Sequence, residues 1–310
     1  MSRIAIEPFS NEHLDGAAKL LEARHRHHRE AEPLLPEIGD FRTQIERDRH
    51  ADGASGVAAI ADGEVVGYLI GRRRDDRIGP HVWIDLAGHA SREPEVVRDL
   101  YAAAAGPWVD AGLTRHFVLV PALDDLVAPW FRLSFGASAA QATRETAPER
   151  PVDAGVEIRP GTPDDLVESA RYERLLWLHN ARTPSFSGMP VPHEEEFVDD
   201  WRGTWDEPEY AHFVAERVDR IVGHLLLYRR PSGDLRVPPD SIDLANAATD
   251  PAIRGSGVGV ALTSHAISWA HANGYRTITT DWRMTNLLAS RFWPRRGFRT
   301  TFLRLYRSIP

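Results

Sequence analysis

The sequence repeats itself, and a chain that repeats must be built from a unit that can fold twice. Ile84-Asp85-Leu86-Ala87-Gly88-His89-Ala90 matches Ile242-Asp243-Leu244-Ala245-Asn246-Ala247-Ala248. Gly63-Glu64-Val65-Val66-Gly67-Tyr68-Leu69-Ile70 matches Asp219-Arg220-Ile221-Val222-Gly223-His224-Leu225-Leu226. Ala128, Phe131 and Gly136 are spaced as Ala289, Phe292 and Gly297 are. Ile6-Glu7-Pro8 opens the first copy and Ile158-Arg159-Pro160 the second. The pieces recur in one order. With 310 residues, more than one core usually holds, this predicts two homologous domains. They span 1–142 and 156–310, and the Pro- and charge-rich segment 143–155 links them.

Each copy reads as strand, helix, loop, helix, hairpin, strand, helix, strand, helix, strand. In the second, the apolar runs 211–215 and 221–228 flank a polar turn, a hairpin signal. Residues 241–248 are strand-like. Val258, Leu262, Ala266 and Trp269 then recur at helical spacing, and Asn273-Gly274 is a helix C-cap pair. A strand follows over 275–282, a helix over 286–295 and a last strand over 300–307. Antiparallel strands followed by a βαβ unit give an α/β class of the α+β kind, a mixed and largely antiparallel sheet flanked by helices.

Between strand and helix lies Arg254-Gly255-Ser256-Gly257-Val258-Gly259. Alternate glycines let the backbone approach a ligand closely. The first amides of the helix, without internal partners, and the helix dipole favour phosphate oxygens. The other reading is that Gly257 and Gly259 serve only helix packing. A P-loop is excluded because no Gly-Lys-Ser/Thr follows. A dinucleotide site fits poorly, since a hairpin precedes the strand, although Asp281 stands where such a site needs an acid.

This turn resembles the Q/R-x-x-G-x-G/A signature of the GNAT N-acetyltransferase superfamily. Asn286, Ala289, Phe292 and Gly297-Phe298 resemble the superfamily's second signature, N-x-x-A-x-x-F/L-Y-x-x-x-G-F. The layout is similar to that of its tandem-domain members, mycothiol synthase among them. The resemblance implies acetyl-CoA as cosubstrate. Ala247, Ala248 and Thr249 would bind its pantetheine arm, Arg254, Gly255, Ser256, Gly257, Val258, Gly259 and Val260 its pyrophosphate, and Asn286 the cofactor near that arm. It implies a transferase moving an acetyl group to a primary amine, of a small molecule, by direct attack on the thioester. A CoA-binding sensor without turnover is the alternative, and transfer to a protein N-terminus or lysine a further one.

An ammonium ion has no lone pair, so the amine must first lose a proton to a base. Asp243, eleven residues before Arg254, stands where related tandem enzymes carry a catalytic carboxylate. Strand alternation places it with Ser241 and Ala245. It is read as catalytic base or substrate anchor, although Asp85 at the same place in the first copy also suits a structural role. The superfamily's usual tyrosine is replaced by Trp293, whose indole N–H is no proton donor of that kind. Tyr306 is a weak substitute, better read as a strand aromatic. Glu194, Glu195 and Glu196 either draw a cationic amine or cap a helix. Trp201 and Trp205 are read as packing residues.

The first copy has no glycine between Ser91 and Asp99, so it is expected to support the fold without binding the cofactor. His25, His27 and His28 are spaced to spread around a helix, a solvated face rather than a metal site. The net charge of −8 argues against nucleic acid or anionic membrane as partner. The absence of cysteine removes thiolate metal sites and disulfides. No apolar run approaches a membrane span, and no signal segment is evident. A cytoplasmic monomer or homodimer without metal is expected.

Overall fold

The computed structural model describes residues 4–310. They divide into two compact units. The first comprises residues up to Gln141 together with Gly233–Arg236 and Thr300–Pro310; the second comprises Ala142–Ser232 and Val237–Arg299. The sequence repeat placed the segment 300–310 with the second domain. It groups with the first because its strand finds its partners there.

The first unit runs β1 (Ala5–Pro8), α1 (Leu14–Ala31), α2 (Phe41–Arg49), β2 (Ala54–Ala61), β3 (Glu64–Asp76), β4 (Gly79–Ile84), β5 (His89–Ser91), α3 (Val96–Asp110), β6 (Arg115–Pro121), α4 (Asp124–Arg132) and the start of β7 (Gly136–Glu145). The second runs β8 (Glu157–Pro160), α5 (Leu166–Ala181), α6 (Glu194–Arg202), β9 (Tyr210–Arg217), β10 (Arg220–Tyr228), β11 (Ser241–Thr249), α7 (Val258–Ala272), β12 (Thr277–Arg283) and α8 (Leu287–Phe292). The remaining strand, β13 (Arg299–Ser308), pairs antiparallel with β6 from Phe302↔Pro121 to Ser308↔Arg115. The class is mixed α/β, as the periodicities indicate.

In the first unit the strand order is β1-β2-β3-β4-β6-β13-β7, with β5 beside β3. Apolar side chains cover both sheet faces. Leu69, Val82, Ile84 and Val118 pack with Leu100, Trp108 and Trp130 of α3 and α4; Tyr68, Ile70 and Leu119 pack with Leu14, Leu21 and Ile45 of α1 and α2. His25 and His28 correct the solvated-face reading: they are 5% and 2% exposed. His25 Nε2 lies 2.8 Å from the Pro36 carbonyl and the His28 ring meets Phe302 edge-on at 4.8 Å. Only His27 faces solvent.

In the second unit the order is β12-β11-β10-β9-β8, with β11 and β12 parallel and the remaining pairs antiparallel. One face lies under α7, where Phe213 meets the rings of His265 and Trp269 at 5.0 and 5.5 Å. The other lies under α5 and α6, where Tyr172 packs on Val214 and Ala248 and Trp201 covers His224 at 4.7 Å.

Candidate functional site

Two strands part company at the site. β11 pairs with β12 only from Ser241↔Thr277 to Leu244↔Thr280, yet β11 continues to Thr249 and β12 to Arg283. On its other side β11 stays paired with β10 up to Gly223↔Thr249. Beyond Leu244 the β12-facing edge of β11 therefore carries backbone groups without a ladder partner among the described residues. The parting coincides with a bulge. Leu226 faces Asn246 and Leu227 faces Leu244, so Ala245 is the extra residue. A bulge bends and twists its own strand, which turns β11 away from β12.

The bulge also corrects the alternation read from the sequence. Ala245 is exposed and no longer shares a face with Asp243. Asn246 does. Successive rows on the face beneath α5 and α6 are Tyr210, Tyr228 and Asp243; His212, Leu226 and Asn246; and Val214, His224 and Ala248.

Ala247, Ala248 and Thr249 are half-buried on the unpaired stretch of β11. The chain then passes through a short 3-10 turn, Pro251–Ile253, into the glycine turn. Gly255 and Gly257 have φ of +87° and +91°, a region in which a side chain is strained. Gly257 caps α7, and the first helical bond runs from the Ala261 N–H to the Gly257 carbonyl. The amides of Val258, Gly259 and Val260 precede that ladder and point out of the helix end. Gly259 tests the packing explanation. A Cβ there would meet its nearest atoms, in Phe292 and Thr249, at 3.8 Å, ordinary contact. Packing within the protein does not require that glycine, whereas close approach of a phosphate does. Arg254, Gly255 and Ser256 are exposed beside this end. The residues therefore fit a pantetheine–pyrophosphate ligand along the β11 edge and over the α7 N-terminus.

Asp243 stands where the strands are still paired, at the closed end of the gap, and is 4% exposed. Its Oδ1 accepts from the Thr279 hydroxyl at 2.6 Å and its Oδ2 from Arg230 Nη2 at 2.8 Å. Burial pushes its carboxyl above the usual carboxylate range, against the pull of Arg230 and Thr279; the nearby Asp281 adds to the rise. A carboxyl so raised holds a proton better and makes a stronger base than an exposed one.

Asn286 is the N-cap of α8. Its Oδ1 accepts from the amides of Leu288 and Ala289, both at 3.2 Å, and its Nδ2 donates to Asn180 Oδ1 at 3.1 Å. His179 Nε2 lies 3.3 Å from the same Oδ1. Trp293 is buried and packs edge-on against Phe292 and Phe298 at 4.9 and 5.3 Å. Tyr306 lies in the first unit, against Phe117 at 4.8 Å. Glu196 Oε1 accepts the His193 amide at 2.8 Å, the capping-box contact of α6. Sequence reasoning missed Arg230, Asn246, His212 and His224. The signal available for the last three was a polar residue inside each of three otherwise apolar strands; their shared face was not readable, because the bulge at Ala245 sets it.

A family model described as the acetyltransferase (GNAT) family matches residues 173–298. No curated protein sequence matches the chain. Among solved structures, a GCN5-related N-acetyltransferase from Sphaerobacter thermophilus has a TM-score of 0.62 at 15% identity, covering 98% of this chain and 95% of its own. A tandem GNAT protein from the clavulanic acid biosynthesis pathway has a TM-score of 0.54 at 14% identity, covering 99% and 98%. A GCN5-related glucosamine N-acetyltransferase region of a fungal multi-domain β-N-acetylglucosaminidase has 0.59 at 14% identity, covering 99% of this chain and 38% of that one. At these identities the likeness is one of fold, and it extends over both units. The family match covers the gap between β11 and β12, the glycine turn and the Asn286 cap, so residues 173–298 match an acetyltransferase domain of the GNAT family, and that match supports acyl transfer by the second unit.

Proposed function

We propose that the second unit transfers an acetyl group from acetyl-CoA to the primary amine of a small molecule. The carrying observation is the continuity of the unpaired β11 edge with the open amides of α7, with Asp243 at the closed end. Ala247, Ala248 and Thr249 lie along the pantetheine arm, and residues 254–260 hold the pyrophosphate. Asp243 takes the proton of the amine, directly or through water. The amine nitrogen then attacks the thioester carbonyl, the carbon–nitrogen bond forms, and the carbon–sulfur bond breaks to release the thiolate. A thiol pKa of ~8.5 makes that thiolate a fair leaving group without an acid, which suits a chain with buried Trp293 in place of a tyrosine. Asn286 holds the start of α8 beside the site.

Incubation with acetyl-CoA and a library of small primary amines, followed by free-thiol detection, tests this reading; release of CoA only when an amine is present is the expected result. A CoA-binding sensor is the second reading, motivated by Trp293. Tight CoA binding without thiol release for any amine would establish the sensor and overturn the transfer.

A further inference from the structure

The face of the second unit beneath α5 and α6 holds polar side chains that the transfer step does not use. Both ring nitrogens of His224, Nδ1 of His212 and Oδ1 of Asn246 are buried and have no hydrogen-bond partner among the described residues. The three residues are 0%, 7% and 8% exposed. An unpaired buried polar atom destabilises the folded chain, and an apolar side chain of similar size would avoid that loss. All three sit on adjacent strands of one face. His212 and Asn246 flank Leu226 in one row, and His224 lies diagonally from both in the next. The two imidazoles are 5.7 Å apart. Asn246 belongs to the stretch of β11 that β12 leaves unpaired, so the group begins at the edge of the reaction site.

The face offers hydrogen bonds without net charge. Burial holds the His212 ring down to about 4 and the His224 ring well below the usual imidazole range, so both are neutral near pH 7. The Asp243 charge is answered by Arg230 at 2.8 Å. Glu194, Glu195 and Glu196 are exposed on the first turn of α6. A carboxylate entering here would find Arg230 already paired with Asp243. A neutral imidazole presents one donor and one acceptor, and an amide oxygen accepts. A hydroxyl, which donates and accepts, complements this set. Trp201 over His224 at 4.7 Å and Trp205 stacked on His212 at 3.7 Å hold the two imidazoles in place.

We propose that His224, His212 and Asn246 form an uncharged hydrogen-bonding subsite that selects a primary amine carrying hydroxyl groups. The inference rests on the acetyl-transfer reading of this unit. It gives no role to the acidic turn of α6 in drawing a polycation.

Matched amines test it: glucosamine against cyclohexylamine, and 2-amino-1,3-propanediol against isopropylamine, with putrescine as the dication. With acetyl-CoA, kcat/KM is expected to favour the hydroxylated member of at least one pair by tenfold or more. In His224→Leu and in Asn246→Leu that preference should shrink at least tenfold, chiefly through KM, while calorimetric CoA affinity stays within twofold. Equal rates within both pairs, a better rate with putrescine than with either hydroxylated amine, or an unaltered preference in both variants overturns the subsite. If no amine releases CoA, the transfer reading fails separately. Binding then decides the subsite: a rise in melting temperature of the CoA-loaded protein with glucosamine or 2-amino-1,3-propanediol, lost in His224→Leu, supports it. Absence of any rise overturns it.

Discussion

His89 in the first unit and Ala247 in the second occupy matching places. Leu69 faces His89 across β3 and β5, as its repeat partner Leu225 faces Ala247 across β10 and β11. In both units the parallel pair ends early, at Ile84↔Val118 and at Leu244↔Thr280. The first unit fills the resulting gap with its own side chains. His89 Nε2 lies 2.8 Å from the Leu119 carbonyl on β6, joining two strands that share no ladder at this point. Arg24 of α1 donates to the Leu86 carbonyl at 2.6 Å and to the His89 carbonyl. Burial holds these groups low, His89 at about 3 and Arg24 at about 10. The second unit has alanine at the first place and half-buried Leu176 at the place of Arg24. The helix ends differ likewise. The amides of Val96, Val97 and Arg98 donate to the carbonyls of Glu93, Pro94 and Glu95, while those of Val258, Gly259 and Val260 precede the ladder of α7. A fold that opens a slot must either fill it with side chains or leave it open; the first unit fills its slot, and the proposed transfer uses the one the second leaves open.

That contrast can be broken most sharply at Asp243. Asp243→Asn should lower kcat by about 10²–10⁴-fold, the usual weight of a general base, with CoA affinity retained by calorimetry. Full activity would remove Asp243 as base. The acid limb of kcat/KM should lie above the ordinary carboxylate pKa of ~4, because burial raises this carboxyl. Rate is lost as pH falls through the raised pKa, since only the ionised form accepts the proton, and the Asn variant should lack that limb. Gly257→Glu should weaken CoA binding by about 100-fold or more, placing a carboxylate at an anion site and a side chain at φ +91°. Asp99→Gly in the first unit should leave CoA affinity unchanged; a loss there would mean the first unit also binds. Ala247→His transplants the first unit's plug, and about a tenfold loss of CoA affinity is expected with the melting temperature little altered. Conversely, His89→Ala should cost about 2–4 kcal/mol in chemical denaturation, through lost packing on Trp130 and stranded polar partners, without creating a second CoA equivalent. Asn286→Ala should cost about 1 kcal/mol as a lost cap.

The element order and the glycine turn were legible because they rest on local patterns, period 2, period 3.6 and positive-φ glycines. The place of Asp243 on β11 was legible from the strand pattern, and its candidacy came from the family resemblance at that spacing. Its partner Arg230 was not, since it sits beyond the end of β10 and nothing in the spacing ties it to β11. The bulge at Ala245 was hidden for a related reason. Strict alternation assigns each residue a face, and one inserted residue reverses every assignment after it. That reversal is what brings Asn246 to the face of Asp243. The histidines of α1 misled because a helix of charged and polar residues looks solvated, whereas an imidazole edge packs on Phe302 as readily as it meets water. The partners of β13 were invisible because repeat symmetry assigns a strand to its own copy, and ladder pairing decides otherwise.

The placement of β13 has a consequence for synthesis. Residues 300–308 emerge from the ribosome only after all of 142–299, yet they pair with β6 and belong to the first unit's sheet. Between the translation of Pro121 and that of Phe302, β6 has no antiparallel partner on that side. The half made first is therefore finished last, and the intervening unit must emerge while an apolar strand edge of the first waits for its neighbour.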